Sequence, residues 1–286
     1  MNSERTAVVT GASSGVGFEV AVGLARDGFK VIALGRTAGR IEASRSMLAG
    51  AVPEAKVDWL RADLSVMGEV EASAGRIADL TDRVDVLVNN AGQTLEDHIV
   101  TVDGLEQTFA GNVIAPFLLT GLLLPLIARE GMSEQPGHVI TTASIGHSYV
   151  DDMRWDDLQL ERSYDGAIAY LQSKLANILF ARELARRHPE LVSSAVHPGT
   201  VDSRFPDTAG ERTKTYFASA AARGELVSPK EAADTILWLA GDVARALPSG
   251  GYFHQREREQ PSAAATNRDS AVRLWRICEG LTGVPY

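Results

Sequence analysis

Cysteine is all but absent. Cys278 is the only one in 286 residues, which rules out an internal disulfide and points to a reducing compartment, with the cytoplasm the expected location. Histidine is scarce and scattered. Its six copies form no HxxH or HxxxH pair, so no metal site is expected. Positive charge is in deficit, with a formal net charge of −9. That argues against nucleic acid as a main partner, since a phosphate backbone needs a basic face. Long apolar runs are missing too. The most apolar stretch, Val113 to Ala128, is shorter than a bilayer span and contains Pro116, Gly121 and Pro125. It reads as a helix buried on most sides, and no membrane span is expected. Met1-Asn2-Ser3-Glu4-Arg5 shows no signal-peptide pattern. There is no internal repeat, linker or low-complexity run. The remaining balance, 45% hydrophobic and 23% charged, suits one soluble α/β domain over residues 1–286.

The chain opens with a buried-strand pattern, Thr6 to Thr10, followed at once by Gly11-Ala12-Ser13-Ser14-Gly15-Val16-Gly17 and a helix to about Asp27. Gly28 ends that helix, and Lys30 to Leu34 is a second strand. Strand, glycine-rich turn, helix, strand is a βαβ unit. Glycines there let the backbone approach a pyrophosphate, and the helix N-terminus offers free N–H groups. At the end of the second strand an acidic residue would bind the ribose hydroxyls of NAD. Gly35-Arg36 stands there instead, with Arg40 further on. Guanidinium groups suit a 2′-phosphate, so NADP(H) is the expected cofactor.

Further strands are expected at Val57–Leu60, Val84–Val88, His138–Ala143, Val192–Val196 and Gly250–Phe253, separated by helices at about 39–50, 66–80, 105–129 and 229–239. Asp63, after the third strand, is placed either to accept from an adenine amino group or to cap the next helix. Asn89-Asn90-Ala91-Gly92, after the fourth, stands at the mouth of the crevice where such sheets bind ligands. Asn112 is a polar residue in an apolar helix and needs partners, either a water or catalytic group or a nearby carbonyl. Tyr170 and Lys174 are four apart on one helical face, and an ammonium beside a phenol lowers the phenol pKa. The 26 residues from Ser144 to Tyr170 are a long connection for a compact domain. That connection (about 145–165) and the irregular segment 202–225 are expected to set substrate specificity, the latter as a lid.

Thr10-Gly11…Gly15-Val16-Gly17, Asp63, Asn89-Asn90-Ala91-Gly92, Asn112, Ser144, Tyr170…Lys174 and Pro198-Gly199 occur together in one order. In that ordered set the chain resembles the short-chain dehydrogenase/reductase family over its whole length. Asp103 to Phe109, Pro116 to Thr120, Gln172 to Asn177 and Leu274-Trp275 are similar to its retinol-dehydrogenase and protochlorophyllide-reductase-like branch. The resemblance implies a single-domain Rossmann fold, with a doubly wound parallel seven-stranded sheet of order 3-2-1-4-5-6-7 and helices on both faces. It implies an oxidoreductase moving a hydride between a nicotinamide and a small-molecule carbonyl or alcohol. Tyr170 would be the acid/base, Lys174 its electrostatic partner, Ser144 the group orienting the substrate oxygen, and Asn112 the holder of a relay water. Gly11, Ser13, Ser14, Gly15, Val16 and Gly17 would cradle the pyrophosphate. Asp63 and Leu64 would flank the adenine, and Asn90, Ala91 and Gly92 the adenosine ribose. Tyr170 and Lys174 would reach the nicotinamide side, held by Pro198, Gly199, Val201 and Ser203. His147 would shape the substrate pocket. A homodimer or homotetramer, paired through the helices of Asn112 and Tyr170, is implied by analogy. The alternatives are an NAD-linked alcohol dehydrogenase and a non-catalytic NADP-sensing scaffold.

Overall fold

The computed structural model describes residues 4–128, 136–241 and 247–286. Short apolar runs form a parallel sheet: β1 (Thr6–Val9), β2 (Lys30–Gly35), β3 (Val57–Arg61), β4 (Val86–Asn89), β5 (His138–Thr142), β6 (Val192–Val196) and β9 (Gly251–His254). Side chains alternate across it as a strand requires. In β1, Val8 faces one hydrophobic layer while Ala7 and Val9 face the other. Helices α1 (Gly15–Arg26), α2 (Ala38–Ala51) and α8 (Pro229–Ala240) cover the second face. The first is covered by α3 (Met67–Leu80), α5 (Ala115–Ile127), α6 (Gly166–Arg187) and α10 (Arg268–Thr282).

The sheet has eight strands, not seven, in the order β10-β9-β6-β5-β4-β1-β2-β3. The expected parallel order is present, and the extra strand β10 (Glu257–Glu259) adds antiparallel to β9 at the edge. Its Glu-Arg-Glu sequence is exposed throughout, so no hydrophobic alternation announces it. The order reverses at β1, which pairs with β2 on one side and β4 on the other. The crevice for a ligand therefore opens beyond the carboxyl ends of β1 and β4.

The long apolar helix is interrupted. A short α4 (Gln107–Phe109) passes into a π-helical turn, Ala110–Ile114, before α5 begins; Arg129, its expected end, lies outside the described residues. By length and composition Gln107–Ile127 could cross a membrane, but 78% of its most apolar window is buried inside the protein. Glu106 caps α4 from a buried position, its carboxylate accepting from Thr108 N and Phe109 N at 2.8 and 2.7 Å.

The C-terminal helix α10 packs on α6. Trp275 stacks on Phe180 and meets Phe117 edge-on, while Tyr286 donates from its hydroxyl to the Phe117 carbonyl at 2.8 Å. One side of α5 and of α6 is thus covered by the chain's own C-terminal residues. Segment 202–225 is closed at its base by two short parallel strands, β7 (Thr200–Val201) and β8 (Leu226–Val227). Between them run a 3-10 turn, Phe205–Thr208, and α7 (Glu211–Ala222).

Candidate active site

The turn after β1 is shaped for an anionic ligand. Gly11 has φ +67°, and a Cβ there would stand 3.0 Å from the Ala91 Cα, so the turn and the loop after β4 touch backbone to backbone. Gly15 has φ +55° with open space where a Cβ would point. Ser14 is the N-cap of α1, its side chain makes no capping bond, and the first turn of α1 carries no acidic residue. Free N–H groups and the positive end of the helix dipole are left toward a phosphate. Ser13 is held by Ser44, whose hydroxyl donates to its carbonyl at 2.9 Å. Val16 is partly buried on α1, and Gly17 packs so closely on the Gly11 carbonyl that a Cβ would be 2.4 Å away.

Thr10 ties this turn to its neighbour. Its hydroxyl accepts from the backbone N–H groups of Asn90 and Ala91 at 2.9 and 3.0 Å, and Asn90 Nδ2 donates to its carbonyl. Arg36 and Arg40 are exposed at the end of β2 and in the first turn of α2, which has no acidic residue. Arg36 donates to Gln93 Oε1 at 3.2 Å. These residues fit a dinucleotide bearing a 2′-phosphate. Asp63 is not the cap of α3, which is Val66. Its carboxylate accepts from Ser65 N and Oγ, and its own N–H donates to Glu69. Leu64 beside it is partly buried.

On the other side of the crevice, Ser144 follows β5 and caps the 3-10 turn Ile145–Tyr149, accepting from Gly146 N at 3.0 Å. Lys174 is buried and donates to the Thr142 carbonyl at 2.9 Å. A Cβ on Gly92 would stand 3.3 Å from its Nζ, so the loop after β4 approaches the ammonium closely here. Asn112 sits in the π turn and is fully buried. Its amide pairs with the Gln93 backbone in both directions at 2.9 Å and donates to Ser173 Oγ at 3.0 Å. Ser173 in turn donates to the Tyr170 carbonyl. The Asn112 side chain thus joins the loop after β4 to α6.

Burial pushes the Tyr170 pKa up to about 12, against the opposing pull of a Ser144 hydrogen bond. Burial also lowers Lys174 to about 8. The ammonium lies 5.5 Å from the phenol ring centroid and is engaged with Thr142, while Phe205, in segment 202–225, lies 4.9 Å from the ring. Desolvation is the largest influence on both groups. Pro198 and Gly199 follow β6. Gly199 has φ +91° and packs against Val227, which is paired with Val201. Ser203 accepts from Phe205 N at 3.3 Å, just before the 3-10 turn Phe205–Thr208.

Residues 5–155, more than half of the sequence, match the family model described as short chain dehydrogenase. The chain belongs to the short chain dehydrogenase family. A Streptomyces (strain C5) relative named for daunorubicin C-13 ketoreduction is 34% identical, the match covering 98% of this chain and 93% of the relative. Human retinol dehydrogenase 13 is 32% identical, with 98% and 85% covered, which supports the retinol-dehydrogenase-like branch. Among solved structures, an uncharacterised Mycobacterium paratuberculosis protein aligns with TM-score 0.77 at 30% identity over 99% of this chain and 95% of that one. The NADP complex of Pseudomonas aeruginosa RhlG aligns with TM-score 0.70 at 27% identity over 87% and 93%.

This short chain dehydrogenase also uses residues that pattern reading passed over. Gln93 is clamped by Asn112, and the Thr142 carbonyl receives both Lys174 and Asn177; neither carries a motif. Phe205 stood in a segment too irregular to read. His147 does not line the substrate side, since both ring nitrogens are bonded inward, to Ser144 and Ser262.

His197, just before Pro198, stacks on His254 with centroids 4.6 Å apart, and Gly199 N donates to its Nδ1. Burial, then the neighbouring His254 and His147, lower its pKa to about 3. The folded pKa lies below that of the unfolded chain, so the unfolded state binds the extra proton between about pH 6.5 and 3. The full contribution is present above that window, and stability falls through it by about 1.4 kcal/mol per pH unit for this one proton. Urea midpoints at pH 7 and pH 5 should show a smaller acid loss in His197→Gln than in the parent protein; equal losses would refute this assignment.

Proposed function

We propose that the protein is an NADP(H)-dependent oxidoreductase interconverting a carbonyl and an alcohol. The observation that carries this reading is the meeting of Ser144, Tyr170 and Lys174 beside the phosphate-shaped turn, with Arg36 and Arg40 where an NAD enzyme would place a carboxylate. When bound, the cofactor supplies or takes up the hydride. The chain's own residues do the rest. Tyr170, kept protonated by burial, gives its proton to the substrate oxygen during reduction and takes it back during oxidation. Ser144 orients that oxygen and stabilises its developing charge. Lys174 holds positive charge beside the phenol and would reach the nicotinamide ribose. Gly11, Ser13, Ser14, Gly15, Val16 and Gly17 would receive the pyrophosphate, with Asp63 and Leu64 toward the adenine. Asn90, Ala91 and Gly92 would line the adenosine ribose, and Pro198, Gly199, Val201 and Ser203 would hold the nicotinamide.

The rim supports a bulky apolar carbonyl substrate. Ile145, Tyr149 and Tyr216 leave 37%, 66% and 42% of their surface in solvent, and Phe205 covers Tyr170. The relatives named for a daunorubicin ketone and for retinol fit the same class. A cytoplasmic location belongs to this reading, as does a homodimer or homotetramer.

Oxidation of NADPH and of NADH should be followed with a panel of ketones and aldehydes. Turnover of apolar ketones with NADPH supports the reading; cofactor binding with no carbonyl reduced would favour a sensor. Arg36→Ala should weaken NADPH by about 1.5–3 kcal/mol, the worth of a charged hydrogen bond, and leave NADH nearly unchanged. Equal weakening of both, by fluorescence titration, would refute the cofactor assignment.

A further inference from the structure

His147 lies three residues after Ser144, is 2% exposed, and has no part in the chemistry above. Its Nε2 faces the backbone N–H of Ser262 at 3.0 Å. That group can only donate, so Nε2 carries the lone pair and Nδ1 carries the proton. Nδ1 then donates to the Ser144 carbonyl at 2.7 Å, and the His147 backbone N–H donates to the same oxygen at 3.2 Å. The ring plane is fixed by Tyr252, met edge-on at 5.1 Å. Ser262 stands on a firm base. It caps a short helix, α9 (Ala263–Thr266), which leads into α10, and α10 packs on α6. A residue serving only to fill space here would need no polar atom. Both nitrogens are instead spent between two backbone groups from segments far apart in sequence, one of them belonging to Ser144.

We propose that His147 is a positioning residue that sets the aim of Ser144 by tying its carbonyl to the C-terminal segment at Ser262. The inference rests on the oxidoreductase reading for its kinetic consequence and on the hydrogen bonds alone for its structural one. Without the imidazole bridge the Ser144 carbonyl keeps only the local His147 backbone bond and loses its tie to the C-terminal segment, and the turn carrying the hydroxyl shifts against Tyr170. Displacements on the order of 1 Å at such sites cost about 100-fold in rate.

Four variants test this. His147→Ala should lower kcat by about 30- to 100-fold, with KM and NADPH affinity within about twofold. His147→Asn, whose amide nitrogen stands close to the Nδ1 position and still donates to the Ser144 carbonyl but does not reach Ser262, should recover only part of that loss. Ser262 already has φ −57°, close to the angle proline fixes. Ser262→Pro therefore removes the N–H, and should fall well below Ser262→Ala, which keeps it. Amide exchange, read on the same proteins without substrate, should speed up at Gly146 and His147 in the alanine and proline variants and return toward the parent rate in His147→Asn. An alanine variant with parental kcat, an asparagine variant no better than alanine, or equal exchange in all variants would overturn the proposal. If the parent protein binds NADPH and reduces no carbonyl, the activity reading fails by itself, and the exchange pattern still decides the positioning role.

Discussion

Tyr170→Phe should lose at least about 100-fold, and up to about 10,000-fold, in turnover, the range for removing a placed general acid. The variant removes one oxygen and leaves the ring, so the contact with Phe205 at 4.9 Å persists. The bond from Ser173 to the Tyr170 carbonyl is made by the backbone and also persists. Cofactor affinity should therefore change little. The pH profile carries a second expectation. With the phenol pushed up to about 12 and Lys174 down to about 8, the site holds a protonated phenol across neutral pH, the form needed to donate during carbonyl reduction. The ammonium is lost as pH rises past about 8, so reduction should decline on that limb. Single-turnover rates across pH 6 to 9 measure this. Retained turnover in Tyr170→Phe would sink the acid/base assignment.

Trp275→Ala should cost about 3–5 kcal/mol of stability, the usual toll of removing a buried aromatic side chain. The indole is 1% exposed. It touches Phe117, Phe180 and Tyr286 with centroids 5.0, 5.9 and 4.7 Å away, and the Arg187 guanidinium lies 4.6 Å from its centroid. Its Nε1 also donates to Glu279 at 3.0 Å. Rigid aromatic neighbours on several sides leave little room for collapse, which keeps a cavity open and its cost high. A fall of roughly 10 °C in the melting temperature is expected. A loss below about 1 kcal/mol in urea unfolding would show that α10 is not needed to close this face of the core.

Much of the fold was legible because single segments carry complete signals. The run from Thr6 through the glycine-rich turn to Lys30 states its strand, its turn and its helix within one stretch of chain. Tyr170 and Lys174 were readable because helical spacing puts them on one face. Other features depend on partners that are distant in sequence. The two imidazole bonds of His147 include one to a residue 115 positions away, so no local pattern announces them. The π turn at Asn112 lies in an unbroken apolar helix, where one extra residue per turn leaves the composition unchanged. The hairpin between β9 and β10 turns through Gln255 and Arg256, both with positive φ, where asparagine and glycine would have given a recognisable signal. The raised Tyr170 pKa depends on how the ring is buried, and the segment that brings Phe205 against it has little periodicity to read.

Strand β10 has a colloidal consequence. An open sheet offers its outermost strand as a template for strands from other molecules, the first step toward fibrous aggregates. Here the apolar β9 is shielded by Glu257-Arg258-Glu259, whose side chains are all in water. A strand docking there would have to bring its backbone against alternating fixed charges. The molecule should therefore stay dispersed at high concentration on this side of the sheet, and replacing those three charges with valine should turn a silent edge into a sticky one.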